Sequence, residues 1–326
     1  MTRRGRTFQR RTRRPKVVLK RTRGDLPSLG PESILLDFFT DAAAEGWERR
    51  APLVKEYYYR FFFELEAQRA AAHEKLREGL SKAGTTTVPL SGWGRALDWQ
   101  YCLNPLSAVG SLKWVGGRFN FGSEIDTERF APFPALYLAE NLDTALAERL
   151  GNQASAAWAV QMSSEDFALC GESSFSWVRV TGEVRNVFDL TGPEGLQPFV
   201  EIIKEFTLSA ELTAMAVQLG VKPAEVATST NMLFKTLVDD SWRGSPTMTD
   251  IPANPQIFGK LLCSAGFEGV LYKSQHTGCR NLAVFTRQFV NSESAIYIEP
   301  PPPAGVKLAS LTASTWKQAE QLWEDQ

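Results

Sequence analysis

Apolar residues in the first quarter of the chain are spaced as they are in a helix. They recur every three or four positions in two groups: Ile34, Leu35, Phe38 and Phe39, then Tyr58, Phe61, Phe62 and Leu65. This spacing predicts a helix from residue 32 to about residue 79. We expect a break near residues 46–52, because the glycine and proline there weaken a helix. The aromatic run 57–63 favours a packed core or a contact within a homo-oligomer.

Beyond residue 87 the pattern changes to short apolar runs separated by turns. These runs predict strands at residues 135–139, 156–162, 176–188, 269–272 and 282–285. Helices are predicted at residues 193–237, 256–265 and 313–323, and loops at residues 91–95, 104–106 and 241–255. A helix should also follow the first strand, because Asn141 or Asp143 can accept a hydrogen bond from a free N–H at its start.

The charge is distributed unevenly along the chain. Of the 36 Lys and Arg residues, eleven lie in residues 1–24, which contain no acid, so the remaining 25 stand against all 37 Asp and Glu, a balance of −12. Such a tail cannot form a core of its own. It is either a solvated arm or a segment that binds nucleic acid, an acidic partner or the acidic body of its own protein.

These features divide the chain of 326 residues into four parts: a basic tail (1–30), a helical extension (31–84), a body (85–299) and a Pro-rich spacer with a terminal helix (300–326). No apolar run reaches the roughly 18 residues of a membrane span, and no apolar signal core follows the basic start. The four cysteines form no Cys-x-x-Cys pair, which favours free thiols in a cytoplasmic protein. His276 and Cys279 lack further ligands nearby, so we expect no metal site.

The stretch Gly116-Gly117-Arg118-Phe119-Asn120 is a candidate anion site. Paired glycines let the backbone approach a bulky anion, and a guanidinium offers a planar fork for pyrophosphate oxygens. No Gly-Lys-Ser/Thr follows, so this is not the phosphate loop of nucleotide triphosphatases. The alternative is an ordinary turn with an exposed arginine.

Tyr137 and Glu148 lie on the first strand and on the helix that follows it. One turn between the two elements can bring both side chains to a common pocket. There, an aromatic ring can stack on a flat heterocycle, and a carboxylate can stabilise positive charge on a ribose carbon. The alternatives are a core tyrosine and a solvated glutamate, and Glu140 competes for the carboxylate role.

Ser274 follows the predicted strand 269–272 and precedes a turn. Its hydroxyl could bond a phosphate or a ribose oxygen. The chain has only two histidines, His73 and His276, and neither is a convincing base for a serine nucleophile.

Three separated blocks resemble the RES-domain family over about residues 87–289. They are Gly117-Arg118-Phe119-Asn120, residues 136–139 with 145–148, and residues 269–274 with Asn281-Leu282. The Arg, Glu and Ser that name the family map onto Arg118, Glu148 and Ser274, with Tyr137 as the accompanying aromatic.

The resemblance implies an NAD-consuming toxin that a cognate antitoxin protein neutralises. It also implies an α+β fold similar to ADP-ribosyltransferases, a split mixed β-sheet flanked by helices, to which residues 1–84 are an N-terminal extension. On this analogy Arg118 holds the pyrophosphate, Tyr137 packs against nicotinamide or ribose, Glu148 supports the ribosyl cation and Ser274 anchors a polar group of NAD. Further candidates for contacts with NAD are Gly117, Asn120, Lys273, Asn281 and Arg95.

Three functions follow as hypotheses. The first is an NAD glycohydrolase or phosphorylase that cleaves the nicotinamide–ribose bond. The second keeps the fold but transfers ADP-ribose to a protein. The third, from another class, is a nucleic-acid-binding protein that uses the arginine-rich tail, with an affinity that falls steeply with salt.

Overall fold

The computed structural model describes residues 41–98, 101–150, 175–239, 242, 250–300, 302 and 304–321. Contacts within the chain divide it into two units, Met1–Arg50 and Ala51–Gln326. The basic tail, the start of the first predicted helix, the strand predicted at 156–162 and most of the loop 241–255 lie outside the described residues.

The helices of the described residues follow the predicted order. They are α1 (Asp41–Ala71), α2 (His73–Ser81), α3 (Leu142–Leu150), α4 (Gln197–Ile203), α5 (Ala210–Leu219), α6 (Thr230–Val238), α7 (Asn254–Ser264) and α8 (Trp316–Ala319). The expected break near residues 46–52 is wrong, because α1 runs through Pro52. Proline removes a single N–H from the helical ladder, and the Ala- and Glu-containing sequence on either side favours helix strongly enough to continue it.

The described strands form one mixed sheet. They are β1 (Thr85–Pro89), β2 (Trp93–Asp98), β3 (Leu136–Ala139), β4 (Phe175–Leu190), β5 (Gly269–Lys273), β6 (Arg280–Val284), β7 (Ala295–Ile298) and β8 (Ser310–Leu311). The pair β4–β5 is parallel and the other pairs are antiparallel. The predicted α+β class, with a mixed sheet flanked by helices, is confirmed.

The long strand β4 joins two halves of this sheet. Its first residues pair with β2 and its middle residues with β7, while its last residues pair with β5. Strands β5, β6 and β3 continue the second half, and β3 meets β2 again where Ala139 lies opposite Gly94. One apolar core joins side chains from both halves, among them Trp93, Val180, Leu138 and Leu282.

A second apolar core lies between the outer face of β3–β6–β5 and the helices. It contains Leu76 and Leu80 of α2, so this part of the N-terminal extension is built into the body. Because side chains alternate along a strand, residues next to core positions on β3, β5 and β6 share one face: Tyr137, Tyr272 and Asn281. The strand register places Asn281 opposite both Ala139 and Tyr272.

The C-terminal segment closes against this body. The predicted helix 313–323 is shorter than expected, since α8 spans only Trp316–Ala319. Ala319 is fully buried and its carbonyl accepts a hydrogen bond from the N–H of Ala108 at 2.9 Å. Cys102, Cys263 and Cys279 are free thiols, and Cys170 lies outside the described residues. Across the described residues, no helix combines the length and the apolar character needed to cross a membrane.

Candidate active site

A cavity of about 620 Å³ opens where β2, β3 and α3 meet the turn before Arg118. This volume is within the range of small-molecule and cofactor sites, roughly 300–1,000 Å³. The residues that line it come from distant parts of the sequence. Five of them were predicted as site residues from the sequence: Gly117, Arg118, Tyr137, Glu148 and Asn281. Arg95, the further phosphate candidate, also lines it.

Arg118 lies at the inner wall of the cavity and is 9% exposed. Its Nη1 donates hydrogen bonds to the carbonyl of Asp239 at 2.9 Å and, more weakly, to that of Leu237 at 3.4 Å. The guanidinium carbon lies 5.6 Å from the ring centre of Trp242 and 5.9 Å from that of Tyr272. Aromatic rings and carbonyls thus fix the plane of the guanidinium, which suits a group that must present a fork to an anion.

Asn120 organises the turn from inside the protein. Its side chain is fully buried and does not line the cavity. Its Oδ1 accepts hydrogen bonds from the N–H of Gly117 at 3.0 Å and from the hydroxyl of Tyr137 at 2.9 Å. The same hydroxyl accepts from the N–H of Phe119 at 2.9 Å. Asn120 therefore sets the position of Tyr137 and of the Arg118 backbone.

Gly117 lies against the Tyr137 ring. A β-carbon added at Gly117 would lie 2.4 Å from the Tyr137 hydroxyl oxygen, far inside contact distance. We expect Gly117→Ala to displace Tyr137 and to lower the free energy of unfolding by about 1–3 kcal/mol, measured by urea denaturation. Gly84→Ala is the matched control, because a β-carbon there meets nothing within 4 Å. Equal stability of the two variants would contradict this packing.

Glu148 reaches the cavity from α3. Asn141, one of the two residues predicted to cap this helix, does so: its Oδ1 accepts a hydrogen bond from the N–H of Thr144 at 2.9 Å. The Glu148 carboxylate accepts a hydrogen bond from Asn281 Nδ2 at 2.9 Å, so β6 orients it. Burial, and then the charges of Glu148 and Tyr137, raise the pKa of the nearby Tyr272 hydroxyl well above its ordinary value. Tyr272 therefore keeps its proton at neutral pH.

Glu140 is engaged elsewhere. Its carboxylate accepts hydrogen bonds from Arg280 Nη2 at 2.5 Å and from the Arg280 N–H at 3.0 Å, and it is not a lining residue of the cavity. The hydrogen bonds from Arg280 hold the pKa of Glu140 below its ordinary value. Of the two carboxylates that the sequence nominated, Glu148 is the one at the cavity.

Ser274 and Lys273 are not among the residues that line the cavity. Ser274 is 2% exposed, and its hydroxyl oxygen accepts hydrogen bonds from the N–H groups of His276 at 3.2 Å and Thr277 at 3.4 Å. Thr277 in turn shares a hydrogen bond of 2.9 Å with Thr144 of α3. Ser274 thus shapes the β5–β6 turn that contacts the helix of Glu148, and Lys273 is exposed.

The cavity is basic. Arg95, Lys113 and Arg149 line it together with Arg118, and Glu148 is the one carboxylate among its described lining residues. Arg95 donates to the carbonyls of Pro105 at 3.0 Å and Ser107 at 2.6 Å. Burial, and then the charge of Arg149, lower the pKa of Arg95 to about 10. A bound anion would offset both effects, so the cavity favours a negatively charged ligand.

Sequence patterns do not identify every residue that shapes this region. Gln256 of α7 is 2% exposed, and its amide nitrogen donates to three carbonyls of the turn, those of Val115 at 2.7 Å, Asn120 at 2.9 Å and Gly117 at 3.1 Å. Its partners lie 136 to 141 positions away, so no local pattern could indicate them. The position of Tyr272 was predictable, because side chains alternate along β5 and Tyr272 therefore shares a face with Val270.

We expect Gln256→Ala to lower the free energy of unfolding by about 1–3 kcal/mol, because the buried carbonyl of Asn120 loses this donor, whereas the part-buried carbonyl of Val115 still accepts from the N–H of Gly122. Urea denaturation measures the change. Gln197→Ala provides the control, since Gln197 is exposed and its side chain bonds only to Glu201 among the contacts seen for it. A decrease of less than 1 kcal/mol in the free energy of unfolding of Gln256→Ala would mean that the turn keeps its structure without this side chain.

The chain is similar to known proteins over the region that contains this site. The RES domain family model matches residues 95–302, more than half of the chain. Among solved structures, the M. tuberculosis MbcT-MbcA toxin–antitoxin complex contains a chain 16% identical to this one, with a TM-score of 0.39 over 76% of this chain and 97% of that chain. No curated protein matches the sequence.

Proposed function

The chain belongs to the RES-domain family, and on that premise we propose that its cavity binds NAD and that the protein cleaves the nicotinamide–ribose bond. One observation carries the proposal. Four segments separated in sequence deliver Arg118, Tyr137, Glu148 and Asn281 to a single basic cavity. An arginine fork, an aromatic ring and an oriented carboxylate are the groups that binding and cleaving a dinucleotide require.

The roles follow from the chemistry of NAD. Arg118 binds the diphosphate, with Arg95 adding positive charge, and Tyr137 packs against the nicotinamide riboside end. Asn281 holds the Oε1 oxygen of Glu148, which turns the carboxylate toward the ribose. Asn120, Gly117 and Ser274 act through the turns that they shape, and Lys273 stands at the end of β5, outside the cavity.

Cleavage breaks the bond between ribose C1′ and the pyridinium nitrogen. The bonding electrons neutralise the pyridinium ring, so nicotinamide leaves without needing a proton. C1′ then shares a positive charge with the ring oxygen, and the Glu148 carboxylate stabilises this oxocarbenium-like state. Water adds to C1′ through its oxygen and releases a proton to solvent, or an unprotonated oxygen of phosphate adds to C1′ without that loss.

Family membership extends the proposal to a protein partner of the antitoxin type that blocks this activity. A preparation for the test must therefore be free of co-purified protein. NAD is incubated with the pure protein, with and without inorganic phosphate, and the products are separated by chromatography.

We expect nicotinamide together with ADP-ribose if water is the acceptor, or ADP-ribose 1-phosphate if phosphate is. Isotope on the adenylate half of NAD would report transfer to protein as covalent label. The absence of nicotinamide under every condition contradicts the proposed function.

A further inference from the structure

Trp114 stands out among the residues that line the cavity. It is 70% exposed, the highest exposure of the large apolar side chains in the described part of the chain. The other aromatic rings of the lining, Tyr137, Tyr272 and Trp242, are all less exposed. An indole of this size facing water at a charged cavity loses the hydrophobic stabilisation that burial would give it.

The backbone of Trp114 is also strained. Its φ is +56°, and it is the one non-glycine residue with positive φ among the described residues. This region is unfavourable for a residue with a β-carbon. The strain persists because hydrogen bonds fix the loop on both sides: the Trp114 carbonyl accepts from Glu124 N–H at 2.9 Å, and the Leu112 carbonyl accepts from Ser123 N–H at 2.8 Å. Strained positions of this kind cluster at ligand clamps.

The chemistry of the proposed ligand supplies a use for this ring. NAD carries two flat ring systems joined through a diphosphate. The nicotinamide riboside must lie beside Glu148, because that carboxylate acts on C1′. Trp114 lies on the same loop as Arg118, only four positions before the residue proposed to hold the diphosphate. Among the aromatic rings that line the cavity, the indole of Trp114 has the largest exposed fraction and so the most surface available to the second heterocycle.

We propose that Trp114 is the stacking surface for the adenine of the dinucleotide and thereby selects a ligand that carries a base. This inference rests on the proposed function and deepens it. Stacking on an aromatic side chain tolerates different bases, because every base has a π-face. Trp114 is a binding residue and takes no part in breaking the glycosidic bond.

Calorimetric titration with ADP-ribose and with inorganic pyrophosphate tests the role of the ring. For Trp114→Ala we expect the Kd of ADP-ribose to rise on the order of 10- to 100-fold, the range for loss of one base stack. The Kd of pyrophosphate, which has no base, should stay within about twofold. Trp114→Phe should lie between the wild type and Trp114→Ala.

Two variants separate binding from folding. Trp114→Asn removes the ring and places a residue that tolerates the left-handed region, so its Tm should equal or exceed that of the wild type while ADP-ribose binds as weakly as to Trp114→Ala. Tyr297→Ala removes an exposed ring on β7 that does not line the cavity, and should bind like the wild type.

These measurements test the stacking role of Trp114 separately from the proposed cleavage of NAD. If wild-type protein binds ADP-ribose and cleaves NAD while Trp114→Ala binds ADP-ribose equally well, the stacking role is overturned and the proposed function stands. If Trp114→Ala weakens ADP-ribose and pyrophosphate alike, Trp114 supports the loop and the stacking role is again overturned. If the wild type binds no ADP-ribose and releases no nicotinamide, both inferences fail.

Discussion

Glu148→Gln should lower kcat for nicotinamide release by about 100- to 1,000-fold, the usual loss when one group that stabilises transition-state charge is removed. The KM for NAD should change little, because the carboxylate acts on charge that develops only as the bond breaks. The substitution keeps the volume of the side chain, and its amide oxygen can still accept the hydrogen bond from Asn281. Steady-state kinetics with NAD measures both constants.

Glu140→Gln is the matched control for this variant. Glu140 directly follows β3, pairs with Arg280 and does not line the cavity. Its replacement should leave kcat within about twofold, because surface ion pairs contribute little. Full activity in Glu148→Gln, or a large loss in Glu140→Gln, would assign the charge to a different carboxylate.

Arg118→Ala should lower kcat/KM for NAD by at least about 30-fold, because losing one partner of a buried charged contact typically costs 2–5 kcal/mol. Arg118→Lys should recover only part of the lost kcat/KM, since an ammonium cannot offer two parallel donors to a diphosphate. The alanine variant also leaves the carbonyls of Leu237 and Asp239 without this donor, so a modest loss of stability should accompany it.

Arg280→Ala separates a local effect from a general change in charge. Arg280 is exposed, pairs with Glu140 and does not line the cavity, yet it carries the same charge as Arg118. Its removal should leave kcat/KM nearly unchanged. If Arg118→Lys matches the wild type, a point charge suffices and the fork geometry is irrelevant.

The elements of this fold were largely predictable because they depend on local patterns. The run around Tyr137 and the cap at Asn141 predicted β3 and α3, and the structure has both. The predictions failed where distant contacts decide. Residues 91–95 were expected to form a loop, yet β2 begins at Trp93, because β4 and β3 pair with it. Strand β7 (Ala295–Ile298) was missed because it is short and exists by pairing with β4.

Local patterns likewise predicted some residues of the candidate site and missed others. A loop arginine and the spacing from Tyr137 to Glu148 nominated three residues that do line one cavity. Ser274 was nominated by its place after a strand, but whether its hydroxyl faces a cavity or its own turn depends on turn geometry that composition does not encode. Gln256 and Trp114 gave no signal, since a long-range hydrogen bond and a strained φ are properties of the folded chain.

A crystal structure of the protein with ADP-ribose would show directly where the adenine, the diphosphate and the ribose lie. We expect the diphosphate within hydrogen-bonding distance of Arg118, ribose C1′ facing the carboxylate of Glu148 and the adenine stacked on Trp114. ADP-ribose bound outside this cavity, or bound with C1′ turned away from Glu148, would contradict this expectation.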